Sequence, residues 1–405
     1  MRRVRVEESA RSVRAEWFVL LIFRRTRPPD PGAGSGLPRH PHAGSLLVVA
    51  PRLPVPLSVL DLCPVPADES TGEALRRSVD LARHAESLGF TRYWVAEHHN
   101  LPGIASSAPA VLAGQLAAAT SAIRVGSGGV MLPNHPPLTV AEQFGTLEAL
   151  HPGRIDLGIG RAPGTDPETA RALRRSADGR PADFASQLAE LRAYFARQAG
   201  DNPTRIRAIP AEGNEPALWL LGSSGYSAEL AGRLGLPFAF AYHLSSASAA
   251  NARPALALYR KTFTPSATLK QPYSLISVSV LCAKDAATAH WLHGSTRLST
   301  LRLKAGRPGL LPSPEEAAIT VYSTAEQTVI ADATKSDVVG DPGTVTEALA
   351  QLQASTGADE LMVTTSTFDH AARLASYELL ASDELLASDE PLARAARASS
   401  TPQRP

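Results

Sequence analysis

Short apolar runs alternate with amphipathic segments along most of the chain. The run "VPLSVLDLC" (residues 55–63) is almost wholly apolar, which predicts a buried β-strand. The next segment, residues 73–89, carries apolar side chains at three- and four-residue steps, which predicts a helix with one apolar face. Seven further apolar runs follow, with helical segments between most of them: "TRYWVAEHH", "IRVGSGGVML", "RIDLGIGRA", "ALWLLGSS", "LPFAFAYH", "YSLISVSVLCA" and "DELMVTTS".

These eight runs predict an α/β protein with a (β/α)8 TIM barrel over residues 55–380. Continuous apolar runs are typical of parallel strands that helices cover on both faces. Eight strand–helix units over roughly 320 residues also match the length of such a barrel. A doubly wound sheet is the alternative, but the glycine-rich GxGxxG turn expected after its first strand is missing.

The two ends of the chain differ from this pattern. Residues 1–54 include a stretch rich in Arg, Pro and Gly that has no helical or strand period, and we expect a disordered N-terminal extension. Near the other end the hexamer "ELLASD" occurs twice, and residues 381–405 are predicted to form a polar C-terminal tail.

Charge and composition exclude several classes of partner. The 405 residues carry a formal net charge of +1, which gives no electrostatic reason to bind nucleic acid or an anionic membrane. The longest apolar run, residues 17–23, is far shorter than the roughly 20 residues that span a bilayer. Acidic residues before that run and no small-residue cleavage pattern argue against a signal peptide, so we expect a cytoplasmic protein. Cys63 and Cys282 lie far apart in apolar segments and are predicted to be buried free thiols.

Candidate chemistry lies where strands end, because barrel enzymes place their active sites at the C-terminal face. The second strand ends in Glu97, His98 and His99. A metal site there would need further ligands, such as His135 or His243. Adjacent residues on an extended strand point to opposite faces, so His98 and His99 do not easily bind one ion. A polar rim without chemistry stays open, and the pattern favours an imidazole that faces the barrel mouth as a proton donor or hydrogen-bond partner.

The fifth strand opens into a candidate phosphate site. Free N–H groups at the helix that starts near Tyr226, with the hydroxyls of Ser223, Ser224 and Ser227, would form a cup for an anion. An ordinary serine N-cap is the alternative. Arg161, at the end of the neighbouring strand, favours phosphate because a guanidinium can bind two phosphate oxygens at once.

Small residues interrupt the third strand at Ser127, Gly128 and Gly129. Such residues leave room for a close approach by a ligand, here a flat ring system, or they mark a kink at a barrel corner.

The chain from about residue 55 to residue 380 resembles the bacterial luciferase-like flavin monooxygenase family, most of all its single-subunit branch of unknown substrate. Four stretches carry the resemblance: "RYWVAEHHN", "GSGGVMLPNHPPLTVAEQFGTLEALHPGRIDLGIGRAPG", "LWLLGSSGYSAELAGRLGLPFAFAYH" and "DELMVTTSTFDH". The resemblance implies a (β/α)8 barrel that binds FMN or, in some branches, the deazaflavin F420. It also implies a homodimer.

The resemblance assigns expected roles by position. Residues at the phosphate cup match those that hold the flavin phosphate: Arg161, Ser223, Ser224, Gly225 and Ser227. Glu97 matches an acidic residue near the flavin, and His98 matches the catalytic histidine. Ser127–Gly128 falls where the family has a non-proline cis peptide bond against the flavin ring. Gly160 stands where luciferase has a reactive cysteine, which argues against assuming luciferase's aldehyde substrate.

These observations lead to one hypothesis and three rivals. The hypothesis is a monooxygenase that takes reduced FMN from a separate reductase and uses O2 to oxygenate a small organic substrate. No dinucleotide motif indicates an NAD(P)H domain in the chain itself. The rivals are an F420-dependent hydride-transfer enzyme, a flavin-binding protein without turnover and a metal-dependent hydrolase. Substrate specificity is expected to lie in residues 164–182 and 264–340.

Overall fold

The computed structural model describes residues 53–162, 164–173, 183–196, 206–244 and 246–382. It contains nine strands: β1 (Leu57–Asp61), β2 (Arg92–Val95), β3 (Arg124–Met131), β4 (Ile155–Gly160), β5 (Ala217–Gly222), β6 (Phe238–Ala241), β7 (Ser274–Cys282), β8 (Val338–Gly340) and β9 (Glu360–Thr364). The α-helices are α1 (Thr71–Ser87), α2 (Pro109–Ala119), α3 (Pro137–Leu150), α4 (Pro167–Leu173), α5 (Phe184–Phe195), α6 (Gly225–Leu234), α7 (Ser246–Thr262), α8 (Ala286–Lys304), α9 (Pro314–Ile319), α10 (Thr324–Ala333), α11 (Pro342–Thr356) and α12 (His370–Ala381).

Eight of the strands close into a parallel barrel. The first six lie side by side in chain order, β7 pairs with β6, and β9 closes the ring between β7 and β1. This closure confirms the predicted (β/α)8 barrel and excludes the open, doubly wound sheet. The ninth strand, β8, pairs with β7 outside the ring. The hydropathy pattern did not predict β8, because three residues are too short a run to be distinguished from a loop.

Side chains from alternate strand positions fill the barrel. The inner apolar cluster is centred on Trp94 and Trp219, whose rings meet edge to face with centroids 5.2 Å apart. A larger cluster packs the outer faces of the strands against the helices. The barrel centre is therefore a packed core rather than a pore, as in other barrels of this type.

A buried ionic layer closes the N-terminal end of the barrel. The Arg92 guanidinium donates to both carboxylate oxygens of Glu360, at 2.7 and 3.0 Å, and to Asp156 Oδ2 at 2.7 Å. All three residues lie at or near the start of their strands. Each charge has an opposite partner, so the layer meets the condition under which buried ions are tolerated. It belongs to the stability of the barrel, at the end opposite the strand ends where active sites form.

The barrel core begins slightly before its predicted N-terminal boundary. Leu53 is 1% exposed and belongs to the core, two residues before the predicted start of the barrel. The predicted extension and tail otherwise fall on residues 1–52 and 383–405, which lie outside the described residues. Cys63 and Cys282 are buried and unpaired, as predicted. None of the helices in the described ranges combines the length and the apolarity that crossing a membrane requires.

Candidate active site

The predicted site residues lie at the ends of four successive barrel strands. Glu97 and His98 follow β2, residues 127–129 belong to β3, and Arg161 follows β4. Ser223 and Ser224 join β5 to α6, and Gly225 and Ser227 lie in the first turn of that helix. Because parallel strands end at the same face, the fold brings these side chains to one rim, which we call the mouth.

Glu97 lies beneath this rim as the centre of a hydrogen-bond network. Its side chain is fully buried, and its Oε1 accepts from His99 Nε2 and His135 Nε2, both at 2.9 Å, and from Asn134 Nδ2 at 3.1 Å. Its Oε2 accepts from the backbone N–H of Met131 at 3.0 Å. Burial alone would raise the pKa of Glu97, but hydrogen bonds from His135 and His99 outweigh it and lower the pKa below its usual value. The ionised carboxylate thus joins the loop after β2 to the loop after β3.

His98 points the other way and lines the mouth. Its Nδ1 lies 3.2 Å from the carbonyl oxygen of Gly164. A carbonyl oxygen only accepts, so Nδ1 carries the proton and donates. Burial lowers the pKa of His98, which keeps the ring neutral at neutral pH. Its Nε2 has no partner among the described residues and presents a lone pair to the mouth.

The small residues of β3 have a packing explanation. A Cβ added to Gly129 would lie 2.7 Å from the Gly158 carbonyl oxygen, and one added to Gly126 would lie 2.1 Å from the Asp156 carbonyl oxygen. The Ser127 hydroxyl bridges to Gly158, donating to its carbonyl oxygen at 3.0 Å and accepting from its N–H at 3.1 Å. Most of the missing bulk therefore serves the close approach of β3 and β4.

One residue of this stretch stays accessible. Gly128 is partly exposed, whereas Ser127 and Gly129 are buried. The cis peptide bond joins Gly128 to Gly129, so the predicted position at Ser127–Gly128 was wrong by one residue. The register with β4 shifts between Gly128 and Val130, and a bulge of this kind leaves one residue unpaired.

The candidate phosphate site lies at the N-terminus of α6. The guanidinium carbon of Arg161 is 4.5 Å from the centroid of the Tyr226 ring, in the first turn of that helix. Among the described residues no carboxylate pairs with Arg161. The N-cap residue Ser224 makes no side-chain capping bond. Ser227 is 4% exposed and packs against Gly222, so it is less accessible than Ser223 and Ser224.

His243 lies across the mouth from His98, and the sequence indicates it only as a possible metal ligand. The structure places it after β6, with Nδ1 2.8 Å from the Ser277 hydroxyl oxygen. Burial and the nearby His98 lower the pKa of His243 to about 4. Within the described ranges no group of three or more His, Cys, Asp or Glu could hold a metal ion.

A cavity of about 530 Å³ opens beside His98. Its wall comes from the loops that follow β2 and β4 and from the end of α8 with the loop after it; Leu101, Thr165 and Leu303 are among the contributors. The last two lie in the segments predicted to carry substrate specificity, residues 164–182 and 264–340. The cavity therefore extends from the neutral imidazole of His98 to the segments predicted to carry substrate specificity.

Comparison with known proteins agrees with this architecture. The profile of the luciferase-like monooxygenase family matches residues 55–360. The chain is 51% identical to YvbT of Bacillus subtilis over 324 residues, 80% of this chain and 95% of that protein. It is 34% identical to the N-acetyl-S-alkylcysteine monooxygenase of the same organism over 330 residues, 80% of this chain and 96% of that enzyme. The crystal structure of apo-MsnO8 is similar with a TM-score of 0.71 and 38% identity, covering 81% of this chain and 96% of that one. The chain therefore belongs to the luciferase-like monooxygenase family.

Proposed function

We propose that the protein is a flavin-dependent monooxygenase that takes reduced FMN from a separate reductase and uses O2 to oxygenate a small organic substrate. The observation that carries the proposal is Arg161, a cation without an acidic partner among the described residues, held over Tyr226 at the start of a helix. The oxygenating reaction is further supported by family membership and by the relative that is named a monooxygenase.

The phosphate end of FMN fits the start of α6. The free N–H groups at a helix N-terminus favour an anion, and a guanidinium adds two directed donors. Ser223 and Ser224 are partly exposed there and can supply hydroxyl donors. Ser227 is buried, so we assign it to packing beneath the site rather than to the phosphate itself.

The ring end of FMN fits the accessible part of β3. A side chain at Gly128 would collide with Leu60, at 2.7 Å, and with Trp94, at 3.1 Å. The missing Cβ of Gly128 thus makes room for core side chains, and its partly exposed backbone offers the mouth a surface that a flat ring can approach closely. We assign Gly128 to the ring contact, and Ser127 and Gly129 to the geometry of the bulge.

Reduced FMN, when bound, supplies the two electrons that let one atom of O2 enter the substrate while the other leaves as water. The residues of this chain would bind and orient the cofactor and the substrate, and they would accept and donate protons. His98 is neutral, and its Nε2 can accept a proton and return it. Glu97 contacts no ligand surface and acts as a positioning residue for the two loops that flank His98.

The domain content supports the proposal of a separate reductase. The described residues form one barrel and contain no second nucleotide-binding domain. The sequence likewise has no dinucleotide fingerprint. Both observations support the proposal that NAD(P)H reduces the flavin on another protein.

The cofactor assignment is tested by comparing FMN with riboflavin, which lacks the phosphate. Arg161→Ala should weaken FMN binding by about 10- to 100-fold, as expected for loss of a charge-assisted bidentate contact, and leave riboflavin binding unchanged. Arg233→Ala is the matched control, because Arg233 lies at the other end of the same helix. If wild type binds FMN no better than riboflavin, the phosphate site is wrong. If it binds F420 and not FMN, the function becomes hydride transfer without oxygen.

The oxygen chemistry is tested by mixing photoreduced FMN and protein with air and following flavin absorbance. We expect reoxidation to be slower than for free FMN, because the protein protects the bound flavin from water. Reoxidation at the rate of free FMN, in a protein that demonstrably binds it, would favour a binding protein without turnover.

A further inference from the structure

Two imidazoles approach the mouth from opposite walls of the barrel. His98 follows β2 and His243 follows β6, and these strands are four places apart in the closed ring of eight. Strands in this relation face each other across the barrel. Both residues are partly exposed at this rim, and burial, followed by the nearby His98, lowers the pKa of His243.

Hydrogen bonding fixes which nitrogen of His243 carries the proton. The Ser277 hydroxyl donates to the Phe240 carbonyl oxygen at 3.2 Å, which uses its only proton. The Ser277 oxygen must then accept from His243 Nδ1, at 2.8 Å. The proton of His243 is thereby held on Nδ1, and Nε2 keeps its lone pair. His98 has the same arrangement, with its Nδ1 proton held by the Gly164 carbonyl.

Both imidazoles thus offer an acceptor and no donor to whatever occupies the space between them. No Lys or Arg among the described residues hydrogen-bonds to His243. A ligand group with an O–H or N–H can satisfy such an acceptor, whereas a carboxylate or phosphate would meet a lone pair without a balancing cation.

We infer that His243 is a substrate-specificity residue, and that its Nε2 accepts a hydrogen bond from a neutral substrate bearing an O–H or N–H group. The inference rests on the proposed function, because it names the substrate class of the same mouth. It assigns different tasks to the two rings: His98 handles a proton, and His243 orients the substrate.

The tautomer is tested directly in the wild-type chain by 1H–15N NMR of the imidazole nitrogens at pH 7. We expect His243 Nδ1 at a protonated shift and Nε2 at the shift of a bare acceptor. Ser277→Ala removes the oxygen that accepts from His243 Nδ1 and should give a mixture of the two tautomers. A His243 that is protonated on Nε2 in the wild type overturns the inference.

The ligand class is tested with phenol and anisole, which have similar size and differ in the O–H donor. With oxidised FMN present and again without it, phenol should bind about tenfold tighter than anisole, the equivalent of one net hydrogen bond, and should shift the His243 Nε2 resonance. His243→Phe should reduce the preference, because only the His98 acceptor remains, while the matched change His290→Phe, at an exposed position on α8, should keep it in full.

The possible failures are distinguishable. Equal affinities for phenol and anisole, or no shift at His243 Nε2 with either probe, overturn the inference even where FMN binds. A phenol preference at His243 in a protein that does not bind FMN supports the inference and removes the flavin from the proposed function.

Discussion

At the scale of single residues, the cluster Glu97-His98-His99 divides into two roles. The sequence shows three polar residues after a strand and favours one imidazole among them as a proton donor or hydrogen-bond partner. The structure buries Glu97 under the rim, where it binds His99, and turns His98 alone toward the cavity. Alternation along a strand predicted that neighbours point apart. It could not predict which one faces inward, because that depends on the barrel register.

Glu97→Gln should destabilise the protein by about 2 kcal/mol at pH 7, because an amide nitrogen would face donors in a buried site. The pKa of Glu97 is lowered in the folded state, so its stabilisation is present at neutral pH and is lost as the pH falls through that lowered pKa. The difference in free energy of unfolding between variant and wild type should therefore decrease in acid. Urea midpoints at several pH values measure this, with the exposed Glu347→Gln as control. A variant as stable as wild type at pH 7 contradicts the role of Glu97 as a hub.

His98→Gln should lower the rate of oxygenation by about 10²- to 10³-fold, the usual contribution of a positioned proton-transfer group. FMN affinity should not change, since the ring lines the cavity and not the phosphate site. His99→Gln is the matched neighbour, because its Nε2 is already engaged by Glu97. Single-turnover rates and FMN titrations separate the effects, and equal losses in the two variants would argue against a special role for His98.

At the scale of elements, the glycines of β3 and β4 control how closely these strands approach. The sequence predicts that the small residues leave space for a ring. In the structure, neighbouring backbone occupies most of that space. A Cβ on Gly158 would lie 2.2 Å from the Ser127 carbonyl oxygen, so a strand would have to move. The bulge and the bare surface at Gly128 depend on this packing.

Gly158→Ala should therefore cost about 3 kcal/mol or more, as expected for overpacking against backbone. Gly72→Ala is the matched control, since its Cβ would meet nothing closer than 3.6 Å in the first turn of α1. There the change should be neutral or stabilising by about 0.5 kcal/mol. Thermal unfolding of both variants decides the matter: similar midpoints would mean that the strands adjust and that the glycines have another purpose.

The sequence predicted all eight barrel strands, because a strand buried on both faces must be apolar throughout. It missed β8, and it missed the helices α9 and α10, which are short at six and ten residues. It also passed over Arg92, Asp156 and Glu360, although a charge inside an apolar run is a visible signal. The sequence does not show which charged residues pair with each other. Only the closed ring shows that Arg92 on β2 contacts carboxylates on β4 and β9.

At the scale of the whole molecule, a second buried ion pair joins the first strand of the barrel to the last helix. Arg373 on α12 donates to Asp61 Oδ1 at 2.6 Å, across 312 residues of sequence. The same carboxylate accepts from the Tyr93 hydroxyl at 2.5 Å and the Cys63 N–H at 2.7 Å. Burial alone would raise the pKa of Asp61, but the Arg373 charge and the hydrogen bonds lower it to about 2. This pair holds α12 against the barrel at the point where the ring closes.

Asp61→Asn should destabilise the protein by about 3–5 kcal/mol at pH 7, because it leaves the Arg373 charge buried without a partner. Since the pKa of Asp61 is lowered to about 2, the wild type keeps this stabilisation above the ordinary aspartate range and loses it as the pH falls from about 4 to 2. The gap between variant and wild type should thus shrink over that window, while other carboxylates titrate alike in both proteins. Urea midpoints from pH 7 to pH 2 measure it, with the exposed Asp68→Asn as control. A gap that stays constant down to pH 2 would mean that Asp61 is not the ionised partner of Arg373, and that other contacts hold α12 against the barrel.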